Sequence, residues 1–272
     1  MQFDGLRVLS LESRRSAEIE KLIRAQGGDP FVAPSMREIP LENNTEAFLF
    51  ATHLFGGEFD MVILLTGVGS RLLNQILETR YPPGSFAQAL RTLAVVVRGS
   101  KPAAVMREWN VPVAVTVPEP NTWREILAAT EARPERNIAV QEYGRSSPEL
   151  LEGLRARGAL VITVPVYQWD LPEDTGPLRD AVRRLAAGAF DVVMFTTSIQ
   201  VSHLLRIAAE ERVEDLVRAA LHHMVVASVG PSTSETLREH DLPVDFEPSH
   251  PKMGFLVNET SRHAREILQS KQ

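Results

Sequence analysis

The sequence predicts an α/β protein of two similar doubly wound parallel-sheet units facing a cleft. Three observations predict it. Short apolar runs alternate with amphipathic stretches of helical length, the pattern of βαβ units in a parallel sheet. Those runs are nearly continuous, as in Phe59-Asp-Met-Val-Ile-Leu-Leu65, which is how strands covered on both faces read. The second half also repeats the first after a shift of 131 residues, from Phe59 to Phe190. Gly57, Asp60, Val62, Thr66, Leu73 and Ile76 meet Gly188, Asp191, Val193, Thr197, Leu204 and Ile207, and Gly99, Arg107, Glu108, Pro112 and Pro120 meet Gly230, Arg238, Glu239, Pro243 and Pro251. Backwards, Glu18, Arg24, Gly27 and Pro34 meet Glu149, Arg155, Gly158 and Pro165. No gap is needed, and the shared order of glycines and prolines argues against coincidence.

Taken in order, Leu6–Leu11 is a short apolar strand, and Ser16–Gln26 is a helix because Ile19, Leu22 and Ile23 fall at helical spacing before Gly27-Gly28. Phe31–Ala33 is extended, and Pro34 and Pro40 keep the residues between them extended. Glu46–Phe55 is a helix and Phe59–Leu65 a buried strand; Thr66–Ser70 is a small-residue loop feeding a helix over Arg71–Thr79. Strand Leu93–Val97, helix Pro102–Trp109, strand Val113–Val117 and helix Thr122–Arg133 complete the first half.

The pattern then restarts with strand Ile138–Gln141, helix Pro148–Arg157 and strand Ala159–Val166. Helix Leu178–Ala187, strand Phe190–Phe195 and helices Val201–Glu210 and Val213–His222 follow. Strand Met224–Val229, helix Ser232–His240, short strand Val244–Phe246 and helix Gly254–Gln269 end the chain.

A chain of 272 residues is long for one core and comfortable for two domains of about 100 to 150 residues. Its 44% hydrophobic and 24% charged residues are a globular balance, so it can bury real cores. The absence of cysteine excludes disulfides and thiolate metal sites and fits a reducing compartment. No signal peptide and no membrane-spanning run is visible. The formal charge of −6 and pI near 5.7 argue against a general nucleic-acid binder, but leave room for a small anion met by a local basic pocket. A cytoplasmic protein is expected.

In an open parallel sheet, ligands bind where strands end and helices begin. Four loops qualify: Thr66-Gly67-Val68-Gly69-Ser70, Arg98-Gly99-Ser100-Lys101, Thr196-Thr197-Ser198 and Gly230-Pro231-Ser232-Thr233-Ser234. Each offers hydroxyls and amides at a helix N-terminus, which suits a carboxylate or phosphate. The plainer reading is ordinary helix caps. None ends in the Lys-Ser/Thr of a P-loop, and Gly67-Val68-Gly69 lacks the third glycine of a dinucleotide fingerprint. Arg14, Arg15, Arg98, Lys101, Arg145 and Lys252 sit where a basic side chain can reach an anion, or else are solvated surface charges. The histidines form no metal cluster, and no serine has a nucleophile-elbow context.

Pro165-Val166-Tyr167-Gln168-Trp169-Asp170 lies where the repeats differ, because the shift lays Pro34 on Pro165 but Met36 on Tyr167. A phenol, with a reference pKa of about 10, stays protonated at neutral pH and can donate a proton or hydrogen bond. A sheet aromatic is the alternative. Trp169 is expected on the opposite side of the extended segment from Tyr167.

The succession Val164-Pro-Val-Tyr167, Phe195-Thr-Thr-Ser198, Val226-Ala-Ser-Val-Gly-Pro-Ser-Thr233 and Pro248-Ser-His-Pro-Lys-Met-Gly254 resembles the uroporphyrinogen-III synthase family, in order and over essentially the whole chain. The resemblance implies two α/β domains joined by a two-stranded connector that the chain crosses twice. Residues 1–38 with 170–272 would form one domain and 43–165 the other, with connector strands at about 35–41 and 166–172. It implies closure of linear hydroxymethylbilane to uroporphyrinogen III, with inversion of ring D and loss of water, by a monomer needing no cofactor. Tyr167 matches the family's tyrosine that assists departure of the hydroxyl. Thr233, with Ser232 beside it, and Thr197 with Ser198 match its hydroxyl loops, although the proline of the latter loop is missing here.

Arg14, Thr66, Gly67, Gly69, Gly99, Lys101, Arg145 and Lys252 are the remaining candidates for binding the substrate's acetates and propionates. The family's first-half loop carries a threonine after its glycine, whereas Gly99 is followed by Ser100-Lys101-Pro102. Two rival readings are a non-catalytic tetrapyrrole or small-anion sensor on the same scaffold and a two-lobed solute-binding protein.

Overall fold

A computed structural model describes residues 3–41, 44–142, 144 and 146–271. The chain divides into two compact units, Met1–Arg37 with Asp170–Gln272, and Glu38–Trp169. The first unit opens with β1 (Arg7–Ser10), α1 (Ser16–Ala25) and β2 (Asp29–Val32), and β3 (Arg37–Pro40) follows at the junction. The second unit runs α2 (Thr45–Phe55), β4 (Met61–Leu64), α3 (Gly67–Glu78), α4 (Ser85–Leu90), β5 (Ala94–Val97) and α5 (Ser100–Glu108). It continues with β6 (Val115–Thr116), α6 (Trp123–Ala129), β7 (Asn137–Gln141), α7 (Pro148–Ala156), β8 (Leu160–Val164) and β9 (Tyr167–Asp170). The chain then returns to the first unit through α8 (Gly176–Ala186), β10 (Val192–Phe195), α9 (Ser198–Glu210), α10 (Glu214–His223), β11 (Val225–Ser228), α11 (Pro231–Glu239) and α12 (Met253–Ser270).

Each unit carries one parallel sheet, ordered β11-β10-β1-β2 in the first and β6-β5-β4-β7-β8 in the second, and β3 pairs with β9. Both central strands are buried at every position, because each divides its side chains between two cores. Val62 and Leu64 enter one cluster with Phe50, Phe86 and Val97, while Met61 and Ile63 enter another with Ile126, Leu150 and Leu154. Val193 and Phe195 likewise separate from Val192 and Met194. Helices on both faces therefore explain why these runs do not alternate.

The repeat is a structural one. The 131-residue shift lays β4 on β10, β5 on β11, α2 on α8, and α3 and α5 within α9 and α11. Upstream of the gap-free span, which begins at Glu18 and Glu149, the correspondence changes by one residue at the first strand. Arg7 pairs with Asp29 as Asn137 pairs with Leu160, so β1 and β7 correspond at a shift of 130. A one-residue slip exchanges the faces of a strand, and this register places Leu9 and Ala139 on equivalent sides, with Val193 and Val62.

Helices begin earlier than composition suggests. The residues read as loops at Gly67–Ser70 and Ser100-Lys101 form first helical turns, and the helix expected from Ser232 starts at Pro231. Small residues are tolerated there because first-turn amides have no intrahelical acceptor to lose. Short α4 has no periodic signal and was not expected. The strand expected at Val244–Phe246 is reduced to a single bridge, Ala227 to Phe246; the Asp245 carboxylate takes the Val226 amide at 2.7 Å. The strand expected through Val166 stops at Val164 and resumes at Tyr167, since Pro165 has no N–H to offer a ladder.

Candidate active site

In both units the candidate residues collect at the carboxyl ends of adjacent parallel strands. In the second unit Thr66, Gly67 and Gly69 follow β4, and Gly99 and Lys101 follow β5. In the first, Arg14 follows β1, Thr197 and Ser198 follow β10, and Ser232 and Thr233 follow β11. Lys252 is the N-cap of α12. Arg145 lies outside the described residues.

Thr66 caps α3 from extended backbone, φ −143° and ψ 147°. Its hydroxyl oxygen accepts from the Gly69 amide at 3.0 Å, its carbonyl accepts from Ser70 at 3.0 Å, and its own amide donates to the Gln141 Oε1 at 3.2 Å. Among the described residues this leaves the Gly67 and Val68 amides without acceptors, pointing from the positive end of the helix. A Cβ at Gly67 would lie 3.0 Å from the Lys101 carbonyl oxygen, a tight approach to backbone that favours glycine there. A Cβ at Gly69 would overlap the Gln141 carboxamide, which would have to move aside.

Tyr167 is 3% exposed, and its ring belongs to the core containing Val62, Leu64 and Val166. Its hydroxyl is 3.4 Å from the Thr66 Oγ1, where either oxygen can donate. Tyr167 is thus a buried sheet aromatic whose polar end reaches the β4–α3 turn. Trp169 is on the same side of the segment, not the opposite one, with its ring centroid 6.4 Å from that of Tyr167. Residues two apart on a strand share a face.

The β5–α5 turn needs its glycine. Gly99 has φ +89°, the left-handed region, and a Cβ would overlap the Asn121 carboxamide. The Asn121 Oδ1 is buried with no hydrogen-bond partner. Lys101 is exposed in the first turn of α5, as Arg14 and Lys252 are exposed at their own turns.

The first unit arranges its turn around two residues absent from the expected site. Gln200, 1% exposed, accepts from the Thr196 amide at 2.7 Å and the Thr197 amide at 3.4 Å, and donates to the Leu11 carbonyl at 3.1 Å. The Glu12 carboxylate accepts from the Arg14 and Arg15 amides at 3.0 Å each, and from the Thr196 hydroxyl. The amides before α1 are therefore already occupied by an internal anion. Thr233 and Ser234 donate their amides to the Gly230 carbonyl, both at 3.0 Å. Ser198 and Thr233 are buried and Ser232 is half-buried. Gln200 was legible at the Thr-x-x-Gln spacing of a capping box from Thr197; nothing in the sequence marks Glu12 or Gln141.

His203 is buried, its Nδ1 donating to the Ser35 carbonyl at 2.7 Å. Burial pushes its pKa down, outweighing the Ser35 hydrogen bond that raises it; Arg206 adds to the lowering and Asp170 opposes it. A neutral imidazole fits this site. Because the unfolded chain binds the proton more readily, stability falls as pH drops below about 6.5, the unfolded value. His203→Asn should remove that part of the acid slope, read as denaturation midpoints compared between about pH 7.5 and pH 5.5. Equal slopes in both proteins would contradict it. Among the described residues, no group of three His, Cys, Asp or Glu side chains is placed to hold a metal, and no helix is long and apolar enough to cross a membrane.

Two duplicated units, each built on one parallel sheet with helices between its strands, define a two-unit α/β protein of the doubly wound kind as the class. The family model described as "Uroporphyrinogen-III synthase HemD" matches residues 17–258. The chain belongs to the uroporphyrinogen-III synthase family. It is 32% identical over 233 residues to a "Putative uroporphyrinogen-III synthase" of Methanothermobacter thermautotrophicus, covering 84% of this chain and 87% of that one. It is 28% identical over 267 residues to "Uncharacterized protein YjjA" of Bacillus subtilis, covering 96% and 97%. A mutant uroporphyrinogen III synthase of Thermus thermophilus superposes with a TM-score of 0.70 at 21% identity, over 98% of this chain and 100% of that one. At that identity the superposition establishes the fold alone.

Proposed function

We propose that the protein converts hydroxymethylbilane into uroporphyrinogen III as a cofactor-independent lyase, acting as a cytoplasmic monomer. The family match over residues 17–258 carries this reading. The geometry at Tyr167 supports it.

The substrate's acetates and propionates meet the Gly67 and Val68 amides of α3, the Thr197, Ser198, Ser232 and Thr233 loops, and the side chains of Arg14, Lys101, Arg145 and Lys252. Gly69 and Gly99 contribute by shape, since side chains there would displace Gln141 and Asn121. Several carboxylates held by fixed donors position a flexible chain, which is the demanding part of this reaction. Tyr167 is 3% exposed, so the hydroxymethyl end must displace the cover over the phenol as it binds, making capture a conformational step.

The electron-rich pyrrole expels the hydroxyl as its nitrogen lone pair feeds into the ring and the exocyclic carbon–oxygen bond breaks. The Tyr167 proton goes to the departing oxygen, which leaves as water. Ring D attacks the freed methylene through its substituted α-carbon, giving a spiro centre. The bond from that centre to the ring C methylene then breaks, and that methylene is recaptured by the free α-carbon of ring D to close the macrocycle. The proton this carbon loses on rearomatisation returns to the phenolate. Thr66, donating to that oxygen from 3.4 Å, stabilises the phenolate in between.

Expression in cells lacking uroporphyrinogen-III synthase tests the reading. Growth without added haem is expected, whereas failure to grow with soluble protein present would favour a sensor.

A further inference from the structure

The two units solve one local problem in opposite ways. In the first, the residue directly after strand β1 is Leu11 and the third residue after the cap Thr197 is Gln200. The Gln200 carboxamide lies under the turn, accepting from Thr196 and Thr197 and donating to the Leu11 carbonyl. In the second unit the strand register makes Gln141 the counterpart of Leu11, and the repeat makes Gly69 the counterpart of Gln200. The glutamine now comes from the strand and the glycine leaves room for it. Gln141 Oε1 accepts from the Thr66 amide at 3.2 Å, and its Nε2 donates to the Glu142 carbonyl. A Leu–Gln pair has become a Gln–Gly pair, yet the carboxamide still holds the equivalent amide, that of Thr197 or Thr66.

We propose that Gln141 is the positioning residue of the Tyr167 site, fixing Thr66 so that its hydroxyl stays against the phenol. The inference rests on the reading of Tyr167 as proton donor. Thr66 Oγ1 already accepts from the Gly69 amide at 3.0 Å, so its own hydrogen is available to the Tyr167 oxygen, and the phenolic proton goes to the substrate. Rotation of the Thr66 backbone breaks this chain at once; Ser70 and Gly69 hold its carbonyl and hydroxyl, and the bond from Thr66 N to Gln141 holds its amide side. A buried carboxamide suits the role because it accepts with one end and donates with the other. Gln141 is 1% exposed, where a carboxylate would be desolvated and a leucine would leave the Thr66 amide unpaired.

Gln141→Leu should lower kcat about tenfold with KM changed by less than about twofold, the loss expected for one positioning hydrogen bond. Transplanting the first unit's solution, G69Q with Q141L, should bring kcat back to within about threefold of wild type. In a Y167F background, Q141L should add no more than about a 1.5-fold loss, because the group it positions is gone. A merely structural glutamine would lower activity equally in both backgrounds, and that result, or unchanged kcat in Q141L, overturns the inference. Amide hydrogen exchange at Thr66 supplies a readout independent of turnover. It should quicken about tenfold in Q141L and slow again in the double variant. If the wild-type protein makes no uroporphyrinogen III, the proposed function fails by itself, and unchanged Thr66 exchange in Q141L overturns the positioning role separately.

Discussion

Tyr167→Phe is expected to lower kcat by about 100-fold, the low end of what a positioned acid contributes, with KM near wild type. The change removes one oxygen from a ring otherwise enclosed by the second unit's core. It forfeits the hydrogen bond to Thr66 at 3.4 Å, so folding stability should fall by no more than about 1 kcal/mol. That separation gives the experiment its force. A buried sheet aromatic with no chemical role would show the small stability change and none of the loss in turnover. Steady-state kinetics beside thermal melts of the two proteins decide between these outcomes.

Phe50→Ala is expected to have the largest effect on folding, about 3–5 kcal/mol. Phe50 is 1% exposed on α2, with ring centroids 5.6 Å from Phe59 and 6.1 Å from Phe86. Its removal empties the centre of a cluster that also holds Tyr167, Val62 and Leu64, and surrounding rings collapse only partly into such a space. A denaturant midpoint within about 0.5 kcal/mol of wild type, at an unchanged slope, would contradict the packing described. The repeat counterpart, Ala181, is fully buried in the first unit, so the two cores reach closure with different side chains on corresponding helices.

The strands along the chain were legible because a parallel sheet covered on both faces leaves continuous apolar runs, and because the repeat ties each half to the other. What the sequence hid was of two kinds. The helices at Gly67 and Ser100 start before the expected Arg71 and Pro102, since small residues serve equally as loop and as first turn, and the capping hydrogen bonds decide. The one-residue slip at β1 escaped because apolar runs match at either register; ladder pairing at Asp29 and Leu160 resolves it.

The site was legible by type rather than by partner. Thr66 and Tyr167 stand out as residues, but their adjacency joins positions 101 apart, which no local pattern encodes. Gln141 gave no signal of its own. The mismatch of Gly69 with Gln200 was visible in the repeat, yet its meaning required the strand-end glutamine that fills the gap. Arg14 shows the converse. Its position after the first strand suggested an anion site, but Glu12 occupies the Arg14 and Arg15 amides, so the backbone of that turn already holds an anion of the chain's own.

The central claim is tested most directly by supplying hydroxymethylbilane, generated from porphobilinogen by a deaminase, then oxidising the products and separating the porphyrin isomers. Uroporphyrin III should dominate in the presence of the protein. Type I isomer alone, at the rate of spontaneous closure, would contradict the account.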